Sequence, residues 1–294
     1  MELKKDDRGR FTILQLTDLH IGSVPYNELD QRTFSHIIEM VNVSDPDLIV
    51  ISGDLISGDK IKMEDVPDPQ KSYDGLIDVL NDLNKPITIT YGNHDTEGNI
   101  TRTEVREMEK KIHHLVEKKH LHVIEDRESY CLEITNRNGE VSNVLYLIDS
   151  GNRDPLNIGT YEFVHPDQVT WFNGVSKLYN NRNRDFKRDL LFLHIPLPEY
   201  KEAYECGKVN GYRYEEEISS PMVNTGLYSS LLLNGHVAGV FCGHDHDNDF
   251  VAEYQGMRLC YGRVSGFNSY GELKRGARVI ELFENQSFDT HIIE

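Results

Sequence analysis

The chain has 294 residues, 38% of them hydrophobic and 27% charged, a globular composition that excludes a disordered or collagen-like chain. Asp and Glu outnumber Lys and Arg by 49 to 31, for a formal net charge of -18. A field of that sign repels a polyphosphate backbone, which argues against general nucleic-acid binding.

The N-terminus from Met1 to Arg8 is polar and lacks the apolar core of a signal peptide. Phe11 to Thr17 reads as a strand, and Leu29 to Val43 has helical spacing. Asp47 to Ser52 is a short β-branched strand, followed by a polar loop from Asp59 to Pro69. A helix from Tyr73 to Leu83 leads into a strand from Ile87 to Tyr91. Such β-α-β units predict a buried sheet of parallel strands. Thr101 to Lys119 is charged and reads as helical, and its neighbourhood holds His113, His114, His120 and His122, expected to be surface histidines. Ser129 to Thr135 and Asn143 to Ile148 flank Asn136-Arg137-Asn138-Gly139 and predict a hairpin. A helix over Pro166 to Asn180 and a strand over Asp189 to His194 follow. Gly239–Cys242, Phe250–Tyr254, Arg258–Tyr261 and Arg278–Phe283 read as consecutive strands. Helices early and strands late suggest two sheets face to face with helices outside, in a single domain over 1–294. No run approaches the roughly 18 apolar residues that span a bilayer. The four cysteines, Cys131, Cys206, Cys242 and Cys260, form no CxxC pair, so free buried thiols and a cytoplasmic protein are expected.

The chemistry-bearing residues cluster at strand ends. Asp18-Leu19-His20 follows the first strand, Gly53-Asp54 the second and Gly92-Asn93-His94-Asp95 the third. His194 ends a later strand, and Gly243-His244-Asp245-His246 ends another. Strand C-termini of an α/β sheet converge on one edge, where ligands bind. Asp-x-His and His-x-His on extended backbone put both side chains on one side. The glycines before Asp54, Asn93 and His244 permit tight turns and close approach. Carboxylate, imidazole and amide donors suit zinc, manganese or iron.

The ordered set DLH (18–20), GD (53–54), GNHD (92–95), H (194) and GHDH (243–246) resembles the signature of the calcineurin-like metallophosphoesterase superfamily. Leu193 to Tyr200, Val223 to Leu227 and Cys242 to Phe250 resemble its purple-acid-phosphatase-29-like branch, which also holds a yeast cell-cycle phosphatase. The resemblance implies a four-layer α/β/β/α sandwich of two mixed sheets flanked by helices. It implies that Asp18, His20 and His246 hold one metal, that Asn93, His194 and His244 hold a second, and that Asp54 bridges both. Purple acid phosphatases carry an iron(III)-binding tyrosine three residues after the GD aspartate, where this chain has Ser57. Tyrosinate–iron chemistry is therefore not carried over.

The expected activity is phosphomonoester hydrolysis by a metal-activated hydroxide, with His94 as general acid and Asp95 orienting its ring. Asn93, Arg153 and Arg263 are candidate phosphate contacts, and Tyr161 and Tyr204 are candidate cleft borders. Asp245 and Asp247 are expected to orient ligands or cap turns rather than bind metal. The substrate would be a small phosphate ester or a phosphoprotein. Two rival readings share the fold: a phosphodiesterase acting on cyclic nucleotides or other small diesters, and a non-catalytic interaction scaffold. A nuclease is disfavoured by the acidic balance.

Overall fold

A computed structural model describes residues 2–22, 24–56, 69–97, 100–179, 188–214, 217–285 and 287–294. Ser57, the 59–68 loop and Asn180, each singled out above, lie outside the described residues. The first half runs β1 (Leu3–Lys4), β2 (Phe11–Leu16), α1 (Glu28–Ser44), β3 (Leu48–Ser52), α2 (Pro69–Asp82), β4 (Ile87–Thr90), α3 (Arg102–Glu109), β5 (Lys119–Ile124), β6 (Arg127–Thr135) and β7 (Val141–Ile148). The second half runs α4 (Pro166–Leu178), β8 (Asp189–Phe192), α5 (Glu199–Cys206), β9 (Lys208–Asn210), α6 (Leu227–Asn234), β10 (Val237–Cys242), β11 (Val251–Tyr254), β12 (Met257–Tyr261), β13 (Ala277–Leu282) and β14 (Phe288–Ile293).

The strands form two mixed sheets. One has the order β14-β13-β2-β3-β4, with β2, β3 and β4 parallel. The other has the order β1-β6-β7-β8-β10-β12-β11-β9, with β5 also on β6. Side-chain alternation along each strand then creates three apolar layers. On β2 and β3, Phe11, Ile13, Leu48 and Val50 meet Leu145, Phe192, Phe241 and Cys260 between the sheets. Leu14, Leu16, Ile49 and Ile51 face the other way and cover Phe34 and Met40 of α1 and Leu76 and Leu80 of α2. Beneath the larger sheet, Val240 and Leu259 pack on Phe172 of α4, Tyr200 of α5 and Leu231 of α6. The result is the expected α/β/β/α sandwich.

Local chemistry fixes the helix ends. In α1, Asn27 Oδ1 accepts from the Asp30 amide while Asp30 Oδ2 accepts from the Asn27 amide, a capping box. Thr101 and Glu104 do the same for α3. The helix expected to run from Thr101 to Lys119 stops at Glu109. Beyond it, the Ile87 amide donates to His114 O and the Val116 amide donates to Ile87 O, so this stretch edges β4. From Lys119 it pairs with β6 instead. Tertiary pairing overrides helical propensity there. The four thiols are free, but Cys206 is exposed rather than buried. No described helix is long and apolar enough to cross a membrane.

Between the sheets the apolar layer ends in a polar tie. Gln15 Nε2 donates to Ser52 Oγ at 2.8 Å and to Cys242 O at 3.1 Å, linking β2 and β3 to β10 across the gap. The residues that follow these three strands are Thr17-Asp18, Gly53-Asp54 and Gly243-His244. Gln15 therefore anchors the floor from which those loops emerge.

The middle layer is the test of the sandwich. Phe241 is fully buried, stacked on Phe192 at 5.0 Å and tilted on Phe288 at 5.5 Å. Phe241→Ala is expected to lower stability by about 3–5 kcal/mol. Leu233→Ala, on an exposed face of α6, should change it by less than about 0.5 kcal/mol. Urea unfolding of both variants checks the contrast, and equal effects would contradict this packing.

Candidate metal centre

The strand ladders continue into the loops and carry the polar side chains with them. The Asp18 amide donates to Gly53 O at 3.1 Å and the His20 amide to Asp54 O at 3.1 Å. In the other sheet, the Gly243 amide donates to His194 O at 3.1 Å. The loops after β2 and β3 thus run side by side, as do those after β8 and β10. Across the sheets, the His244 amide reaches Asp18 Oδ1 and Oδ2, both at 3.2 Å.

Two groups of ligand atoms result. Asp18, His20 and His246 form one, and Asp54, His194 and His244 the other, each with its ligand atoms within 4.8 Å of one another. All six are buried, and Asn93 is 4% exposed. Asp54 Oδ2 lies 3.0 Å from His194 Nε2 and 3.9 Å from His20 Nε2, so it touches both groups. His194 Nδ1 lies 2.9 Å from Ser52 O, which leaves Nε2 directed at Asp54.

The backbone is bent to make this possible. Asp18, His20, Asp54 and His244 all have positive φ, at 56°, 49°, 52° and 81°. Non-glycine residues are uncommon there, and such conformations gather at functional sites. Gly53 has φ 101°, and a Cβ on it would collide with the His194 ring. A Cβ on Gly92 would overlap the Asp54 carboxylate.

Electrostatics of the bare residues follow from crowding. Burial opposes the charge on Asp18 and Asp54, yet the neighbouring imidazoles hold both carboxyls below the usual range. Burial also opposes charge on His194, but the Asp54 carboxylate raises it to about 9. Burial lowers His20 to about 4 and drives His244 well below its ordinary value. Asn93 Oδ1 and His244 Nε2 are buried without a hydrogen-bond partner. Buried polar atoms are normally satisfied. A donor set of carboxylate, imidazole and amide with orphaned acceptor atoms fits a pair of cations.

The residues around these groups partly depart from expectation. Asp95 does not touch the His94 ring. Its carboxylate accepts from the amides of Gly92 at 2.7 Å, Asp54 at 2.9 Å and Leu55 at 2.7 Å, and from Tyr73 Oη at 3.0 Å. The short loop turns it inward to clamp two ligand loops together, while Glu97 Oε2 stands 2.8 Å from His94 Nδ1. Burial, then the Asp54 charge, pushes the Asp95 carboxyl up to about 6. Arg263 is not in the cleft either. It is 3% exposed, pairs with Asp249 Oδ2 at 2.6 Å and Glu294 Oε1 at 3.0 Å, and donates to Lys274 O. Tyr204 lies on α5 against Phe250 and under Arg213, on the outer side of the sheet. Arg153 is exposed, with its guanidinium 4.9 Å from the Tyr161 ring centroid. Tyr161 in turn meets the His244 ring edge-on at 4.3 Å. Asp247 Oδ1 accepts from the amides of Glu272 and Leu273, and Asp245 Oδ2 accepts from the Ser219 amide and the Tyr261 hydroxyl.

Several contributors carried no motif. Arg102 pairs with Asp149 at 2.6 Å and donates to Gly92 O, bracing the third loop from below. Tyr270 stacks on His246 at 4.0 Å, and Asn268 donates to His20 O. Only Glu97 left a readable trace, three residues after His94 in the stretch HDTE.

Residues 11–248 match the family described as Calcineurin-like phosphoesterase. The chain belongs to that family. Among other members, "Probable inactive purple acid phosphatase 14" of Arabidopsis thaliana is 31% identical over 95% of this chain and 77% of its own. "Probable inactive purple acid phosphatase 29" of the same plant is 30% identical over 97% of this chain and 80% of its own. A solved dimetal phosphatase from Danio rerio shares the fold, with TM-score 0.64 at 14% identity, over 97% of this chain and 99% of that one.

Asp95 supplies the check on this calcineurin-like phosphoesterase site. Asp95→Ala strands the amides of Gly92, Asp54 and Leu55, each worth about 1–3 kcal/mol when buried without a partner. The expected outcome is a stability loss of about 3 kcal/mol or more, read by thermal or urea unfolding. A neutral change would show that the loops do not depend on it.

Proposed function

We propose that the chain is a dinuclear-metal-dependent phosphoric ester hydrolase acting on phosphomonoesters, whether small esters or phosphoproteins. The observation that carries the reading is the two buried ligand groups sharing Asp54, with Asn93 Oδ1 and His244 Nε2 buried and without a hydrogen-bond partner. In this reading Asp18, His20 and His246 hold one ion, Asn93, His194 and His244 the other, and Asp54 both. Zinc, manganese or iron ions held there supply Lewis acidity at the phosphoryl oxygens and activation of water.

The side chains do the remaining work. His94 is partly exposed, its ring centroid 5.4 Å from that of His20, and it holds a proton on Nε2 for the departing ester oxygen. Arg153, on the rim beside Tyr161 and His244, pairs with phosphate oxygens. Asn93 is the second candidate contact for the same group. Asp95 acts on the loops rather than on the proton.

Metal analysis combined with turnover of p-nitrophenyl phosphate and bis-p-nitrophenyl phosphate tests this. Two ions per chain and faster turnover of the monoester are expected. Faster turnover of the diester would favour the phosphodiesterase, and no turnover of either ester with both ions bound would favour the scaffold. His94→Ala should lower kcat on an alkyl phosphomonoester such as ethyl phosphate, whose alkoxide needs a proton to leave, by about 10²–10⁴ with its metals retained, and on p-nitrophenyl phosphate much less. If that variant lost its metals instead, the acid assignment would fall. His244→Ala is expected to bind about one ion fewer, since it removes one ligand of a single site.

A further inference from the structure

We propose that a basic cavity between α1 and the loop of residues 267–275 is a second binding site, for a small organic anion with an oxyanion head and a short apolar body. The site uses neither group of metal ligands, so it stands apart from the reading above.

Its position follows from the topology. β13 runs antiparallel to β2, and Ala277 at its start pairs with Ile293 of β14. The chain before β13 and after β14 therefore lies at the edge where β2 leads into Asp18. The segment entering β13 serves two neighbours. Toward the metal centre, the Gly266 amide and Ser269 Oγ donate to Asp18 O and Asn268 Nδ2 donates to His20 O, each at 3.0 Å. Elsewhere along it, Phe267, Leu273, Lys274 and Arg275 line an open cavity of about 640 Å³, which Leu29 and Arg32 of α1 and Glu294 complete. That volume suits a small molecule, for which sites run roughly 300–1,000 Å³.

Positive charge collects there with little to balance it. Arg32 is exposed, with its guanidinium 4.1 Å from the Phe267 ring centroid. Phe267 is itself fixed, since its amide donates to Thr33 Oγ1 and its ring meets His36 edge-on at 5.5 Å. Arg275 donates to carbonyl oxygens, from Nε to Gly266, from Nη1 to Leu273 and from Nη2 to Ser269 and Tyr270. Among the described residues, no carboxylate forms an ion pair with Arg32 or Arg275. Burial opposes the charge on Arg275, Asp247 favours it, and Arg263 and Arg32 oppose it. Lys274 is 82% exposed, with Nζ 3.5 Å from Glu294 Oε2, while Glu294 Oε1 lies 3.0 Å from Arg263. The one carboxylate lining the cavity is thus shared with a cation outside it.

Three cations around one carboxylate, in a chain of formal charge -18, make a local field that draws an anion. Arg32 offers a planar fork of N–H donors that matches an oxyanion, and Lys274 a mobile second charge. Leu29 and Leu273, both partly buried, give a short alkyl chain an apolar wall to cover. The cations gather at one cavity rather than along a stripe, which fits a single head group better than an extended polyanion.

Calorimetric titration of the metal-loaded full chain with hexanesulfonate tests this, because a sulfonate is an oxyanion that coordinates metals weakly. Saturable binding of one hexanesulfonate per chain is expected, about tenfold or more tighter than methanesulfonate, which lacks the apolar body. Hexylammonium should not bind. Arg32→Gln should weaken hexanesulfonate by about tenfold or more, and Lys274→Gln by about threefold. Metal content and thermal midpoint should stay unchanged in both, since both side chains lie at the surface. Leu273→Ser should cut the preference for hexanesulfonate over methanesulfonate by about threefold or more. No saturable binding, or equal binding by the parent and Arg32→Gln, would overturn the inference. Tighter binding of a hexa-aspartate peptide, lost in Arg32→Gln, would replace the small anion with an acidic protein segment. Self-association in sedimentation runs that Arg32→Gln abolished would replace it with a second copy of this chain.

Discussion

Two carboxylates buried side by side set the terms for the rest of this molecule. Asp18 and Asp54 are each about 1% exposed, in a chain whose formal charge is already -18. An ionised carboxylate in such surroundings is costly unless opposite charge lies close by. The chain answers with a ring of imidazoles, His20, His194, His244 and His246, drawn from three separate strand ends. Imidazoles alone do this poorly. His194, 3.0 Å from Asp54, is raised to about 9, but burial lowers His20 and His244, so only part of the ring carries positive charge. A pair of cations would supply the remaining positive charge, with the neutral rings as ligands. Lone pairs that have no hydrogen-bond partner then acquire one.

Holding these groups requires backbone that would not be chosen for its own sake. Left-handed residues at Asp18, His20, Asp54 and His244 persist only where the surroundings over-determine them. Three devices provide that here. Parallel ladders run on past the strands, so the Asp18, His20 and Gly243 amides remain paired. Gln15 ties the floor of both sheets. Asp95 clamps the second and third loops from within. The site is thus an outgrowth of sheet register rather than a set of independent loops.

That dependence explains what could be read from the amino acids alone. The strands β2, β3, β4, β8, β10 and β12 are apolar runs ending in Gly, Asp or His, so both the sandwich and the convergence of their ends were legible. The helices α5 and α6 and strands β9 and β14 were not, since Glu199–Cys206 and Leu227–Asn234 span only eight residues each and carry too little periodicity. The stretch after Glu109 looked helical because its charges are helix-compatible, while its fate was decided by the open edge of β4. Asp95 and Arg263 were misjudged for one reason: a charged residue beside a motif can turn toward the chemistry or toward the backbone. Asp95 met three amides, one three residues away and two 40 or 41 residues away, and Arg263 met Asp249, 14 residues away in the chain. Only tertiary structure shows such partners.

A metal-binding role and a scaffold role place different demands on these residues, and relatives whose names call them probably inactive sharpen the contrast. A chain selected only to display a surface has no reason to keep Asn93 Oδ1 and His244 Nε2 buried and unsatisfied. Each such atom costs about 1–3 kcal/mol, and each left-handed non-glycine residue costs on the order of 1–3 kcal/mol more. Against a net stability of about 5–15 kcal/mol for a typical domain, these costs are large. Drift would remove them by replacing single ligands, and apolar substitution at buried polar sites is often neutral or stabilising. Here Asp18, His20 and His246, and Asp54, His194 and His244, form two buried groups, with Gly53 and Gly92 leaving room beside them. A ligand that binds only the folded state offsets such costs by mass action, and two tightly held cations are ligands of that kind. The strain and the orphaned atoms therefore argue for metals.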